Sequence, residues 1–139
     1  RLAADAAAWG LGGEVTLTGE VDDFALDGYY AGADAFALFS RFEAFGLVYF
    51  EAMARGVPVL THRVGANAEL LTAGAIVVDR YDRPAAERAL ARLVDDPAYR
   101  SRLGAEAREL VRSRFTWRRS AERFFAVYEE AIDERRRAT

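Results

Sequence analysis

The sequence predicts an α/β fold, a Rossmann-like parallel sheet with flanking helices. Three observations carry this. Short, continuously apolar runs at 35–39 (AFALF), 57–61 (VPVLT) and 75–79 (AIVVD) have the length of strands covered on both faces. Helix-length segments alternate with them, which implies parallel βαβ units. The chain has 139 residues, 52% hydrophobic and 29% charged, enough for one domain with a real core.

Each element has its own local reason. Residues 2–9 read as the end of a helix stopped by Gly10, Gly12 and Gly13. Residues 14–19 (EVTLTG) alternate β-branched and small side chains and predict a strand. A short helix follows at 24–33, with its tyrosines expected on one side. After the 35–39 strand, a helix at 46–55 ends at Gly56 and Pro58. The second run, 57–61, is joined to the third, 75–79, by a loop and short helix near 65–72. The last third is helical: Asp82 and Pro84 open 84–95, Asp96 and Pro97 open 97–113, and Thr116 caps a long final helix. Leu90, Leu93 and Val94, then Leu103, Leu110 and Val111, form a helical stripe.

Composition excludes several functions. The net charge of −3 argues against a general nucleic-acid or membrane-surface binder. With no cysteine and one histidine, His62, neither a thiolate metal site, a histidine metal site nor a Ser/His triad is expected. No stretch is apolar over the roughly 18 residues of a membrane span. The chain opens at Arg1 without a signal peptide, so a fragment or processed product is expected, with a cytoplasmic location.

The segment 40–60, SRFEAFGLVYFEAMARGVPVL, places carboxylates at Glu43 and Glu51 among core-type residues. An uncompensated buried carboxylate costs several kcal/mol, so each must reach solvent or a ligand. A helix starting near Gly46 presents open amides and roughly half a positive charge at a strand's carboxyl end, where ligands bind in such sheets. Gly46 permits close approach of a ligand to the backbone. Glu43 precedes that helix, and Glu51, four residues after Leu47, shares its face. An anion site between two hydroxyl acceptors suits a nucleotide sugar. The plainer alternative has Glu43 satisfying helix-start amides and Glu51 exposed, and spacing alone favours it.

The wider text is more specific. EAFGLVYFEAMARGVPV (43–59) resembles the E-x₇-E region of retaining family 4 glycosyltransferases (glycosyl transferases group 1), whose pattern reads E-G-F-G-L-x-x-x-E-A-M-A-x-G-x-P-V. GEVDDFALDGYYAGADAFALFS (19–40) resembles the region before it, and VGANAELL (64–71) stands in place of the G-G-x-x-E loop. Asp95-Asp96-Pro97, Arg100, Leu103, Gly104, Ala107 and Phe115-Thr116-Trp117 match the helical end. The resemblance implies a GT-B architecture, with this chain, 1–139, as part of the C-terminal donor-binding domain and 84–137 as its helical segment. It implies that Glu43, the candidate catalytic residue, binds hydroxyls of the transferred sugar rather than acting as a classical acid/base. It further implies that the backbone of Phe45, Gly46 and Leu47 meets the diphosphate, Glu51 holds the ribose, and Gly19 and Val21 lie near the base. No metal or other cofactor is implied, and the partners are a nucleoside-diphosphate sugar and an N-terminal acceptor domain or complementing chain. Any membrane association would run through that domain. A catalytically silent nucleotide-sugar-binding or interaction module is the alternative, and a GT-B epimerase is a more distant one.

The text departs from the pattern in places. Ala44 and Ala66 replace glycines, which costs roughly 1 kcal/mol or more if either needs positive φ. The family's arginine–lysine diphosphate clamp and the first two βα units are expected to precede this chain, which contains no lysine. Strand 14–19 is therefore expected either to await missing neighbours or to shift beside 35–39. His62 reads as a satisfied or solvent-facing histidine and Arg41 as an exposed arginine. Glu69 reads equally as a loop ligand or a helix cap. Trp117, Phe124, Phe125 and Tyr128 read as packing, and the arginines at 135–137 as a solvated end.

Overall fold

A computed structural model describes residues 1–137. Its order is α1 (Leu2–Ala8), α2 (Asp23–Gly32), β1 (Phe36–Leu38), α3 (Leu47–Ala54), β2 (Val59–His62), α4 (Asn67–Leu70), β3 (Ala75–Val78), α5 (Arg83–Asp95), α6 (Pro97–Arg114) and α7 (Trp117–Arg137). The three strands are parallel, in the order β1-β2-β3, with Phe36 opposite Val59 and Val59 opposite Ala75. The α/β reading therefore holds: a Rossmann-like parallel sheet with helices on both faces.

Successive strand residues point to opposite faces. Val59 joins Tyr49, Phe50, Met53, Leu71, Ala107 and Leu110 on the α3 side. Leu60 joins Leu93 and Leu103 on the α5 side. Helix α6 contributes to both clusters and so ties the two faces together. Tyr49, Met53, Leu60 and Leu93 are sealed from solvent, each stabilising by about 1.5–3 kcal/mol through burial.

The helix starts follow the local signals. Asp82 accepts from Ala85 N at 2.9 Å, Asp96 from Tyr99 N at 2.8 Å and Thr116 from Arg119 N at 3.2 Å. Asp22 does the same for α2, accepting from Ala25 N at 2.8 Å. Each cap stabilises its helix by about 1 kcal/mol.

Other expectations need correction. Residues 14–19 form no strand: all are exposed, and none pairs with β1, whose outer edge carries no strand among the described residues. Their alternation is suitable, but a strand needs a hydrogen-bonding neighbour and an apolar face, and here it has neither. β1 is covered on one side only. Phe36 and Leu38 pack toward α3, whereas α5 lies on β2 and β3 and leaves Ala37 exposed. The α2 tyrosines diverge, Tyr30 turning inward and Tyr29 staying 53% exposed. Leu90 and Val94 are exposed at the edges of the α5 stripe, and only Leu93 is buried. Helix α7 buries nothing: Trp117, Phe124, Phe125 and Tyr128 are solvent-facing rather than packed into a core. Among the described residues, no helix is long and apolar enough to cross a membrane.

Candidate functional site

The start of α3 is built around Gly46. This N-cap residue has φ 76° and ψ 59°, and a Cβ placed on it would lie 2.3 Å from the Tyr49 ring. Both constraints demand glycine. The residue turns the chain sharply from the loop into the helix, and no side chain caps the first turn. The opening amides of α3 thus have no side-chain partner at the carboxyl end of β1, where the helix dipole favours an anion, and Gly46 itself is buried.

Glu43 sits on the loop before this turn, half-buried, its Cγ in line with Gly46. Its carboxylate has no hydrogen-bond partner among the described residues. Its carbonyl is overlaid by Gly65 from the loop after β2: a Cβ on Gly65 (φ 52°) would stand 1.8 Å from that oxygen. The two loops are therefore in backbone contact.

A buried polar knot holds this contact. The Thr61 hydroxyl donates to the Leu38 carbonyl at 2.7 Å and accepts from the Tyr49 hydroxyl at 3.2 Å. His62, 8% exposed, donates from Nε2 to the Ser40 carbonyl at 2.7 Å, with the Phe39 ring against it. Asn67, 1% exposed, donates to the His62 carbonyl at 2.7 Å and accepts from Val64 N at 3.0 Å. His62 is thus a satisfied structural histidine. Buried polar groups with every partner in place specify one loop geometry.

Glu51 lies one turn into α3. It is exposed, and with Leu47 it lines a cavity of about 500 Å³ between α2, α3 and α6, alongside Tyr30, Phe50 and Phe115. The Tyr30 hydroxyl donates to Glu51 Oε2 at 3.1 Å. Burial, followed by this bond and the charge of Glu51, pushes the Tyr30 phenol up to about 12. At one wall of the cavity Arg55 is ion-paired with Asp27. The Phe45 ring packs at a tilt against Phe50, centroids 5.3 Å apart, and Phe50 packs likewise against Phe115 at 4.4 Å.

The structure therefore brings Glu43 against Gly46 at the start of α3, and Glu51, one turn along the helix, into one cavity with Leu47. Gly19 and Val21 lie on the segment before α2, outside the lining of the Glu51 cavity. A Cβ on Gly19 would meet nothing within 4 Å, and Val21 is half-buried outside the cavity lining. Ala66 has φ −85°, and Ala44 is not among the residues with positive φ, so the two replaced glycines carry no strain. Glu69 is exposed and caps nothing, the α4 start having no side-chain cap. Arg41 lines a second cavity, of about 380 Å³, with Phe39, His62 and Tyr81, beyond the ends of all three strands. Tyr30, Thr61, Gly65 and Asn67 were not singled out from the sequence. Gly65 had a local signal, a glycine directly after a strand loop, but the other three act through contacts distant in the chain.

Comparison with known proteins converges on one family. A model described as glycosyl transferases group 1 matches residues 1–110. The lipopolysaccharide core biosynthesis mannosyltransferase LpcC of Rhizobium leguminosarum bv. viciae is 36% identical over 138 residues, covering 98% of this chain and 39% of that protein. A D-inositol 3-phosphate glycosyltransferase of Corynebacterium glutamicum (strain R) is 39% identical over 105 residues, covering 74% of this chain and 25% of that protein. Among solved structures, sucrose-phosphate synthase from Thermosynechococcus elongatus superposes with a TM-score of 0.83 at 32% identity, covering 96% of this chain and 34% of that one. The chain thus spans between 25% and 39% of the length of these relatives.

Proposed function

The chain belongs to the glycosyl transferases group 1 family, and from that premise we propose that it is the donor-binding part of a retaining glycosyltransferase of GT-B architecture. In this reading it takes a hexose from a nucleotide sugar and passes it to an acceptor held by a separate N-terminal domain. The observation that carries the reading is the uncapped start of α3, with the Glu43 side chain against Gly46 and Glu51 lining a cavity with Leu47. The diphosphate rests on the amides at Gly46 and Leu47, Glu51 accepts from the ribose hydroxyls and Glu43 from hydroxyls of the transferred sugar. The base extends toward Gly19 and Val21.

Transfer then needs little covalent help from the chain. The bond between the sugar's anomeric carbon and the phosphate oxygen breaks as the acceptor oxygen attacks from the same face. The acceptor's proton passes to the departing phosphate. The α3 dipole stabilises the charge that accumulates on that phosphate, the kind of preorganised electrostatic aid that carries much of enzymatic catalysis. The reading calls for no metal ion, so EDTA should leave donor binding unchanged, and it keeps the cytoplasmic location expected for use of a nucleotide sugar.

Calorimetry with UDP, GDP, ADP and their sugars tests it. Removing a charge-assisted hydrogen bond costs about 1.5–3 kcal/mol, or roughly 10- to 100-fold in affinity. Glu51→Gln should weaken nucleoside diphosphate and nucleotide sugar alike, and Glu43→Gln the sugar-bearing ligand alone. Equal effects would overturn the division of roles, and absence of binding would overturn the site. A second reading is a catalytically silent nucleotide-sugar-binding module, which would hold the donor without passing its sugar on. Binding without transfer after the acceptor domain is supplied in trans would select it.

A further inference from the structure

We propose that Tyr30 is the positioning residue of this site, fixing the Glu51 carboxylate so that it accepts from both ribose hydroxyls and selects ribonucleotides over 2′-deoxyribonucleotides. This rests on the reading of Glu51 as the ribose-binding residue.

The geometry supports it in three steps. First, the Tyr30 hydroxyl is itself firmly aimed. Its ring packs on Phe36 with centroids 5.9 Å apart, and Phe36 meets the fully buried Tyr49 edge-on at 6.2 Å. Tyr49 is locked in turn by Thr61. Second, Glu51 is an exposed side chain on a helix surface and, without a partner, would sample several rotamers. The bond from Tyr30 to Oε2 selects one of them and takes one of about four acceptor positions on the carboxylate. Oε1 and the second lone pair of Oε2 remain for a cis-diol. Third, the neighbouring charges do not compete. Arg55, also on the cavity wall, is ion-paired with Asp27 rather than with Glu51. The phenol's raised proton affinity keeps it a donor throughout the neutral range.

The test uses the whole chain and the tightest-binding of ADP, GDP and UDP, each beside its 2′-deoxy counterpart, titrated calorimetrically. Tyr30→Phe keeps the ring on Phe36 and deletes only the donor. It should weaken the ribonucleotide about 10-fold, a loss of about 1.4 kcal/mol. It should weaken the deoxynucleotide far less, collapsing the ribo/deoxy ratio toward one. Adding Tyr30→Phe to Glu51→Gln should cost nothing further, since the two act as one unit. If the wild-type chain binds no nucleotide, the ribose reading of Glu51 falls and takes this inference with it. If the wild type binds and Glu51→Gln weakens binding, while Tyr30→Phe leaves the ratio unchanged, the role of Tyr30 alone is overturned. Equal weakening of both nucleotides would likewise reduce Tyr30 to a packing residue.

Discussion

Replacing Gly65 by alanine places a methyl group where the Glu43 carbonyl oxygen already stands. The new Cβ would be 1.8 Å from that oxygen, against a normal carbon–oxygen approach of about 3.3 Å, so one loop must retreat by about 1.5 Å. The obstacle is backbone, and Glu43 cannot swing aside as a side-chain end would. Overpacking of this kind costs about 1–3 kcal/mol. The left-handed backbone at φ 52° adds about 1–2 kcal/mol once a Cβ is present. The sum, about 2–5 kcal/mol, is a large share of the roughly 5–15 kcal/mol that holds a domain together. Thermal unfolding followed by circular dichroism should show it, with a melting temperature lower by about 10 °C or more. Gly65→Asn separates the two contributions, because asparagine tolerates the left-handed region but still carries a Cβ. It should be nearly as damaging as alanine. Stability within about 0.5 kcal/mol of wild type for Gly65→Ala would refute the loop contact, and full recovery in Gly65→Asn would leave only backbone strain.

Three further outcomes are expected. Asn67→Leu leaves the Val64 amide and His62 carbonyl without their buried partner, at about 1–3 kcal/mol for each unsatisfied group, read from urea unfolding. Ala44→Gly and Ala66→Gly restore the family's glycines but should not stabilise the chain, since neither alanine has positive φ; denaturation should show no change or a loss of about 0.5–1 kcal/mol. Because the Tyr30 phenol is raised from 10.0 to about 12 in the folded chain, the folded state holds a proton that the unfolded state gives up above pH 10. Its contribution is complete below pH 10 and is lost as pH rises toward 12. Alkaline unfolding of Tyr30→Phe should therefore fall less steeply across that window than wild type.

What could be read from the sequence was local. The caps at Asp82, Asp96 and Thr116 involve partners three residues away, and the three strands of the sheet announce themselves as short apolar runs. Glu43, Gly46, Leu47 and Glu51 fall within nine consecutive residues, so one stretch of text displays the candidate site. What escaped was contact between distant segments. Tyr30 meets Glu51 across 21 positions, and His62 reaches Ser40 across 22. Residues 14–19 have a strand's alternation, but pairing depends on an edge that the segment's own residues cannot describe. The stripe on α7 likewise shows which face is apolar, not whether anything covers it.

The knot of Thr61, His62 and Asn67 has a thermodynamic consequence for whatever meets α3. Ordering one residue's backbone removes conformational entropy equivalent to about 1–2 kcal/mol, so a loop of four residues that froze only on ligand arrival would forfeit about 4–8 kcal/mol of affinity. The Glu43 carbonyl already lies against Gly65, and the bonds of His62 and Asn67 fix the chain on either side of that contact. Whatever order this contact imposes on the loop is a loss absorbed by folding, and an incoming anion is spared that share of it.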